Sequence, residues 1–575
     1  MTPLRRIRRR QPAPAGSGWP DHVPPLLRRI YAARGAADPA LALPRLAGLP
    51  PPGDMRGIQS AAELLADAIA RNRRILVVAD FDCDGATACA VAVRGLRMLG
   101  ARSVVHAVPN RTVHGYGLSP ALVQEVSALE PDLLLTVDHG IACHEGIRAA
   151  RARGWQVVVT DHHLPGEQLP EADAIVNPNQ PGCGFGSKAL AGVGVVFYVM
   201  LALRALLRRR DAFGGPEPDL AELLDLVAVG TVADLVPLDA CNRALVAAGL
   251  RRLRSGQGTP GLQALIEVAG RDARALSAAD IGYAVAPRLN AAGRLEDMSL
   301  GIECLLCDEP GRARELARTL DAINAERRSV QATMLGEAES ALASHGVQAA
   351  GADARVAWCL FDPAWHPGVV GLVASRLKER LHRPVVAFAP AAPGSAELRG
   401  SARSIPGFHI RDALAAIDAG SPGLIRRFGG HAMAAGLTLD AERFGRFEEA
   451  FSAHAAANLD DALLQSVIDS DGELAPEEFD RFHAEALRDG GPWGQAFPEP
   501  LFDGEFDLLD FRQVGDRHLR MRLRAPGGGG ALKAIHFGGW GEEPPARMRL
   551  AFRLACDDWR DARDIQLVVE HREPA

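Results

Sequence analysis

The sequence contains no uninterrupted run of about eighteen apolar residues, the length a helix needs to cross a bilayer. Its most hydrophobic stretch, from Ala189 to Leu207, is broken by glycines and Arg204, so it is expected as a buried helix. No secretory signal is legible, and the nine cysteines are scattered, which argues against a disulfide framework and predicts free thiols in a cytoplasmic setting. Cys304 and Cys307 form the only Cys-x-x-Cys, with no second pair to complete a zinc site. Net positive charge is missing too: the balance is -7, which excludes a protein that coats nucleic acid by bulk charge. Any nucleic-acid contact must come from a local basic groove. No Ser-His-Asp signature calls for a covalent nucleophile.

What is present is a chain of 575 residues, long enough for three or four domains, with 47% hydrophobic and 23% charged residues, ordinary for a globular protein. The boundaries read as a basic, Pro/Gly-rich tail over 1–45, a first α/β domain over 46–260, a helical connector over 261–350, a second α/β domain over 351–460 and a β barrel over 461–575. The arginines from Arg5 to Arg10, followed by a Pro/Gly-rich stretch, are expected to be a solvated, disordered tail. Between Arg73 and Asn177 short apolar runs (ILVVA, SVVHAV, DLLLTV, QVVVT, AIV) alternate with helical stretches, the rhythm of a parallel sheet covered by helices. Ligands of such sheets bind at the carboxyl ends of the strands. Leu316, Leu320, Ile323, Val330 and Met334 recur at helical spacing and predict a long connecting helix. RVAWCLF and PVVAF open the second α/β unit. Near the C-terminus His518, Arg520, Arg522 and Arg524 alternate with Leu519, Met521 and Leu523, a barrel strand with one basic face.

The sharpest signal is Asp80-Phe-Asp82-Cys-Asp84-Gly85, directly after the strand ILVVA. Three carboxylates at alternate positions of an extended segment can turn to one side, and burying them together is costly unless cations neutralise them. A calcium EF-hand also begins D-x-D-x-D-G, but its twelfth position needs a bidentate Glu and holds Val91 here, and a strand stands where a helix should. Helix capping would account for Asp84 alone. Two further strand ends supply Asp138 with His139, and Asp161 with His162 and His163. A fourth candidate is Asp234 in GTVADLVPL, after a predicted helix over 221–232. Imidazole with carboxylate oxygens suits Mn²⁺, and Mg²⁺ where oxygen dominates.

In this order and spacing the motifs resemble the DHH phosphoesterase superfamily, whose name describes Asp161-His162-His163, and within it the RecJ exonuclease family. The narrower resemblance rests on PNRTVHGYG at 109–117, PRLNAAGRL at 287–295, WHPGVVG at 365–371, SARSIPGFHI at 401–410 and FGGHAMAAG at 428–436. It implies an α/β fold in which a parallel-sheet DHH domain is joined by a long helix to a DHHA1-like domain, with a C-terminal OB-like barrel. It further implies two divalent ions, Mn²⁺ or Mg²⁺, held by Asp80, Asp82, Asp84, Asp138, His162 and Asp234, with Asp138 bridging and His163 orienting the phosphate or protonating the leaving group. Phe81, Cys83 and His139 depart from the family's usual residues, none of them at an implied ligand position.

The activity implied is 5′ to 3′ hydrolysis of single-stranded DNA to 5′-mononucleotides, in repair and recombination, beside a single-strand-binding protein and a helicase. Arg111, Arg288, Asn290, Arg294, Ser401, Arg403 and the Gly429-Gly430-His431 turn are the candidates for holding the strand, arginine because its planar fork matches phosphate oxygens. The competing account of each arginine is a salt bridge, and of the glycine pair an ordinary turn. Phe537 and Trp540 are read either as stacking platforms or as barrel core. Two other functions stay open: a DHH phosphodiesterase acting on nanoRNA, bisphosphonucleosides or cyclic dinucleotides, and an inactive single-strand-binding scaffold.

Overall fold

A computed structural model describes residues 5–110, 114, 116–344, 355–525, 530–541, 543–557 and 564–575. Apolar strands flanked by helical stretches form the first sheet. In spatial order its strands are Val104–Ala107, Ile75–Ala79, Leu133–Val137, Gln156–Thr160 and Ala174–Val176, all parallel. Ile75–Ala79 and Leu133–Val137 are wholly buried, as continuous apolar runs covered on both faces must be. Asp80, Asp138 and Asp161 are each the first residue past a strand, so the topology alone gathers three carboxylates at the carboxyl edge of neighbouring strands. The hydrophobic stretch expected as a buried helix is the helix Gly192–Arg209, nearly all of whose first half is inaccessible to solvent.

The helix Pro310–Ser344 connects the two α/β units. Leu316 and Leu320 are buried in the core of the first, Met334, Ala338 and Leu342 in a core of the second. At 1.5 Å per residue it is a strut of roughly 50 Å. In the second unit Trp358–Phe361 and Val385–Pro390 pair in parallel, and Glu397–Arg403, Ala434–Asp440 and Arg427–Gly430 complete the sheet antiparallel. The C-terminal strands Phe502–Val514, His518–Arg524, Leu532–His536, Arg547–Asp557 and Asp564–Pro574 close into a barrel. Leu519, Met521 and Leu523 point into it, whereas Arg522 and Arg524 are exposed. Phe537 and Trp540 are 63% and 38% exposed, so neither is barrel core.

The expectation of a disordered N-terminal tail is overturned. Arg5–Arg9 form a strand that pairs in parallel with Ser466–Ser470, and Pro25–Ala32 form a helix with Leu26, Leu27, Ile30 and Tyr31 buried. The reason is long-range: Arg8 meets Asp469 at 2.7 Å, Arg9 meets the fully buried Asp503 at 2.8 Å, and Arg34 forms a buried pair with Asp471 at 2.7 Å. Tyr31 stacks between Trp19 and the rings of Trp493 and Phe497, and its hydroxyl donates to the Gly490 carbonyl at 2.7 Å. Acids more than four hundred residues away neutralise the arginines, which composition read locally does not reveal.

Candidate metal centre

Seven side chains named from the sequence converge at the carboxyl edge of the first sheet. Ligand atoms of Asp80, Asp82 and Asp138 lie within 4.8 Å of one another, as do those of Asp84, His162 and Asp234, and those of Asp138, His162 and His163. His162 Nε2 stands 3.2 Å from Asp138 Oδ1 and 3.5 Å from Asp234 Oδ2. Yet Asp138 Oδ1 and His162 Nε2 are buried without a hydrogen-bond partner. Orphaned acceptors facing each other among further carboxylates are what a cation resolves, so the donor set fits divalent metal.

The backbone is shaped to hold this cluster. Asp138 has a left-handed φ of 65°, uncommon for a residue with a side chain, and donates its N–H to the Thr160 carbonyl at 3.0 Å. Asp82 caps the helix Cys83–Met98 by accepting from Gly85 N at 3.0 Å. Asp84 accepts from Gly192 N at 2.6 Å and Val193 N at 3.0 Å, the exposed amides at the start of another helix. A Cβ on Gly192 would sit 2.4 Å from Asp138 Oδ1, and one on Gly230 2.2 Å from Thr87 Oγ1 and 2.8 Å from Asp84 Oδ1. Gly192 and Gly230 therefore belong to the site although they carry no ligand atom. Only their place in AGVG and VGTVAD hinted at it.

Electrostatics separate the roles of the two adjacent histidines. Burial, then the charge of His163, lowers His162 to about 4, so its imidazole is neutral and able to ligate. Burial would lower His163 as well, but the hydrogen bond from Nδ1 to Asp161 Oδ1 at 2.7 Å and that carboxylate's charge raise it to about 9. Asp161, although buried, is held down to about 2 by that histidine and by the Ile141 amide at 2.9 Å. Asp161 is thus the buried counter-ion of a cationic His163. Burial and the charge of Asp82 push Asp84 up to about 7, against the pull of its two amide donors. Asp138 and Asp234 are driven well above the carboxylate range by burial and then by Asp84. His139 is completely buried and bonds through Nε2 to the Val78 carbonyl at 3.0 Å, away from the cluster.

Across the cleft, His431 belongs to the turn between Arg427–Gly430 and Ala434–Asp440 and stacks over His163 with ring centroids 6.4 Å apart. Gly429, Gly430 and His431 are exposed there, and Gly430 has φ 140°. Tyr116, 55% exposed, meets His163 edge-on at 6.2 Å. Arg403 reaches Ser375 Oγ at 3.1 Å and Ser401 Oγ at 2.8 Å, and Arg294 donates to the Gly368 carbonyl at 3.3 Å. Two expected strand-binding residues are engaged inside the protein instead. Asn290 Oδ1 accepts from Cys83 N at 2.9 Å and pins the acidic loop, while Arg288 is buried and paired with Asp321 at 2.8 Å. Arg111 lies outside the described residues.

Three stretches match known families: 74–231 the DHH family N-terminal domain, 353–457 the DHHA1 domain and 470–571 the RecJ OB domain. The chain is 50% identical to the single-stranded-DNA-specific exonuclease RecJ of Dickeya dadantii, over 100% of each chain. It is 47% identical to that of Escherichia coli, over 98% of this chain and 99% of the other. Among solved structures, RecJ from Thermus thermophilus in complex with Mn²⁺ superposes with a TM-score of 0.80 at 32% identity, over 96% of this chain and 76% of that one.

Proposed function

Because the chain belongs to the RecJ family, we propose that it is a divalent-metal-dependent exonuclease that hydrolyses single-stranded DNA. The observation that carries this reading is the pair of orphaned atoms, Asp138 Oδ1 and His162 Nε2, among buried and half-buried carboxylates. Asp80, Asp82, Asp84, Asp138, His162 and Asp234 would hold two ions, Mn²⁺ or Mg²⁺, with Asp138 shared, since its ligand atoms join both the Asp80–Asp82 group and the His162–His163 group. Such ions supply a water of lowered pKa and neutralise charge developing on the phosphate oxygens. His163, kept cationic by Asp161, would hold a proton toward the leaving oxygen or the bound phosphate.

The strand would lie between the metal edge and the turn bearing His431, with Arg294, Ser401, Arg403 and the exposed Gly429, Gly430 and His431 binding phosphates. Arg288 would reach a phosphate only by exchanging Asp321 for it. Preference for a single strand over a duplex is carried into this reading from the single-stranded-DNA-specific RecJ relatives. A single-strand-binding protein, a helicase and a cytoplasmic place in repair and recombination complete the proposal.

The test uses strands labelled at either end, incubated with Mn²⁺. Early release of the 5′ label as mononucleotide, none of it with Asp138→Asn and little from blunt duplex, is the expected result. Release of the 3′ label first would overturn the polarity. Preference for dinucleotides over long strands would favour a small-substrate phosphodiesterase, and absence of stoichiometric manganese would favour a scaffold.

A further inference from the structure

Two helices that present metal ligands at one end share a cavity at the other. The helix Cys83–Met98 carries Asp84 in its first turn, and the helix Leu224–Ala233 ends beside Asp234. Arg94, Arg97 and Met98, at the far end of the first, and Glu222 and Leu223, just ahead of the second, line a cavity of about 370 Å³. Arg252, in the last turn of the helix Ala240–Arg254, lies on its wall with the loop from Gln257 to Thr259. At 1.5 Å per residue Arg97 stands roughly 20 Å along the helix from Asp84, so the cavity and the metal cleft are separate places.

The wall is built and not fully neutralised. Arg94 donates to Asp308 at 2.7 Å and to the Leu305 carbonyl at 3.2 Å, which fixes it and meets its charge. Arg252 donates to the Gln257 carbonyl at 2.9 Å, and the loop is tied down where Thr259 N donates to the buried Asp225 at 2.6 Å. Neither Arg252 nor the exposed Arg97 forms an ion pair among the described residues, and the exposed carboxylate of Glu222 forms none either. Met98, Leu223 and Leu306 supply apolar surface. A ligand that satisfies this wall carries an anion for the two arginines, a hydroxyl or amino donor for Glu222 and a flat apolar face for the rest. Inorganic phosphate offers only the first. A volume of about 370 Å³ sits at the small end of ligand pockets and suits one nucleotide better than a length of strand.

We propose that this cavity binds a nucleoside 5′-monophosphate, its phosphate on Arg97 and Arg252, whose planar forks match phosphate oxygens. The occupant belongs to the chemical class of the mononucleotides that the proposed reaction releases. The site shares no residue with the metal cleft, so its existence does not depend on that reaction.

The test titrates dTMP, thymidine and inorganic phosphate into the full-length protein in chelator by calorimetry, for wild type, Arg97→Glu and Arg252→Gln. Wild type should bind dTMP at least tenfold more tightly than thymidine or phosphate. Each substitution should weaken dTMP at least tenfold, while the melting temperature of the free protein stays within about 2 °C. Crystals soaked in chelator with 5-bromo-2′-deoxyuridine 5′-monophosphate should show the anomalous signal of bromine beside Met98, Leu223 and Leu306. Unchanged dTMP binding by both folded variants, or bromine in the metal cleft alone, would overturn the proposal. Phosphate binding as tight as that of dTMP would refute the nucleotide assignment. With Mn²⁺ the variants should cleave long strands as wild type does; a matching loss of cleavage would put these arginines on the strand's path and refute a separate site. Failure of wild type itself to cleave sinks the exonuclease reading, and the binding measurements still decide the cavity.

Discussion

Asp84, Asp138 and Asp234 all have pKa values shifted upward, and the shift sets how the metal-free protein responds to pH. Their folded-state values lie above the ordinary carboxylate value, with Asp84 at about 7, so between pH of about 4 and about 7 the folded protein binds more protons than the unfolded chain. In chelator, stability should therefore rise as pH falls from about 8 to about 6, and added Mn²⁺ should raise the melting temperature most at the upper end. Asp138→Asn removes one repelling charge. It should melt higher than wild type in chelator, gain nothing from Mn²⁺ and show no hydrolysis; a mutant that still gains stability from Mn²⁺ would remove Asp138 from the ligand set. Gly192→Ala should lose Mn²⁺ binding although it deletes no ligand, because the new Cβ would occupy the place of the Asp138 carboxylate. At this scale the positions of Asp80 and Asp138 were legible in the sequence, since each follows an apolar strand, whereas Asp84 lies within the helix Cys83–Met98 and Asp234 follows the helix Leu224–Ala233. Their supports were not, because the amides of Gly192 and Val193 are brought to Asp84 only by the fold.

Among the elements, the helix Ala286–Leu295 shows how a correctly located motif acquires a different task. PRLNAAGRL lies beside the site, but Asn290 holds Cys83 N, and a Cβ on Gly293 would sit 1.9 Å from the Phe81 carbonyl oxygen. The helix is braced against the acidic loop. Asn290→Ala leaves that amide unsatisfied at a cost of about 1–3 kcal/mol, so Mn²⁺ affinity and kcat should fall while KM for DNA stays put. A rise in KM with unchanged metal affinity would instead return Asn290 to the strand-binding set. The N-terminal strand carries the opposite lesson. An arginine run reads as a solvated tail until Asp503, buried and bonded to Arg9, Arg549 and Ser470, is placed under it. Asp503→Asn leaves two arginines short of a counter-charge and should lower stability by about 3–5 kcal/mol, seen as a lower urea midpoint. Burial opposes the charged form of Asp503, but these bonds outweigh it and hold the group below the ordinary carboxylate value, so its contribution is present above that value and fades as pH falls through the folded one.

In the whole molecule, the succession of parallel sheet, long helix, second sheet and barrel followed from periodicity, because each layer repeats its own pattern along the chain. What periodicity could not give is that the chain's two ends are built into one another. Tyr31 is wedged against Trp493 and Phe497, Arg243 lies 3.8 Å over the Phe497 ring, and the inaccessible Arg34 is paired with Asp471 and lies over Trp493. The segment from 466 to about 500 is therefore a strap on the catalytic domain, and the barrel proper begins only at Phe502. Two truncations separate the parts. A chain ending at residue 460 removes strap and barrel together, leaving Arg34 and the apolar face of Tyr31 bare, and should melt well below the full-length protein and aggregate. A chain ending at residue 500 keeps Asp471, Trp493 and Phe497; it should stay close to wild type in Mn²⁺ binding and in cleavage of very short strands while losing affinity for long ones. Equal melting temperatures for the two truncations would show that the strap adds no stability, and the N-terminal region would then have to be held by its own core.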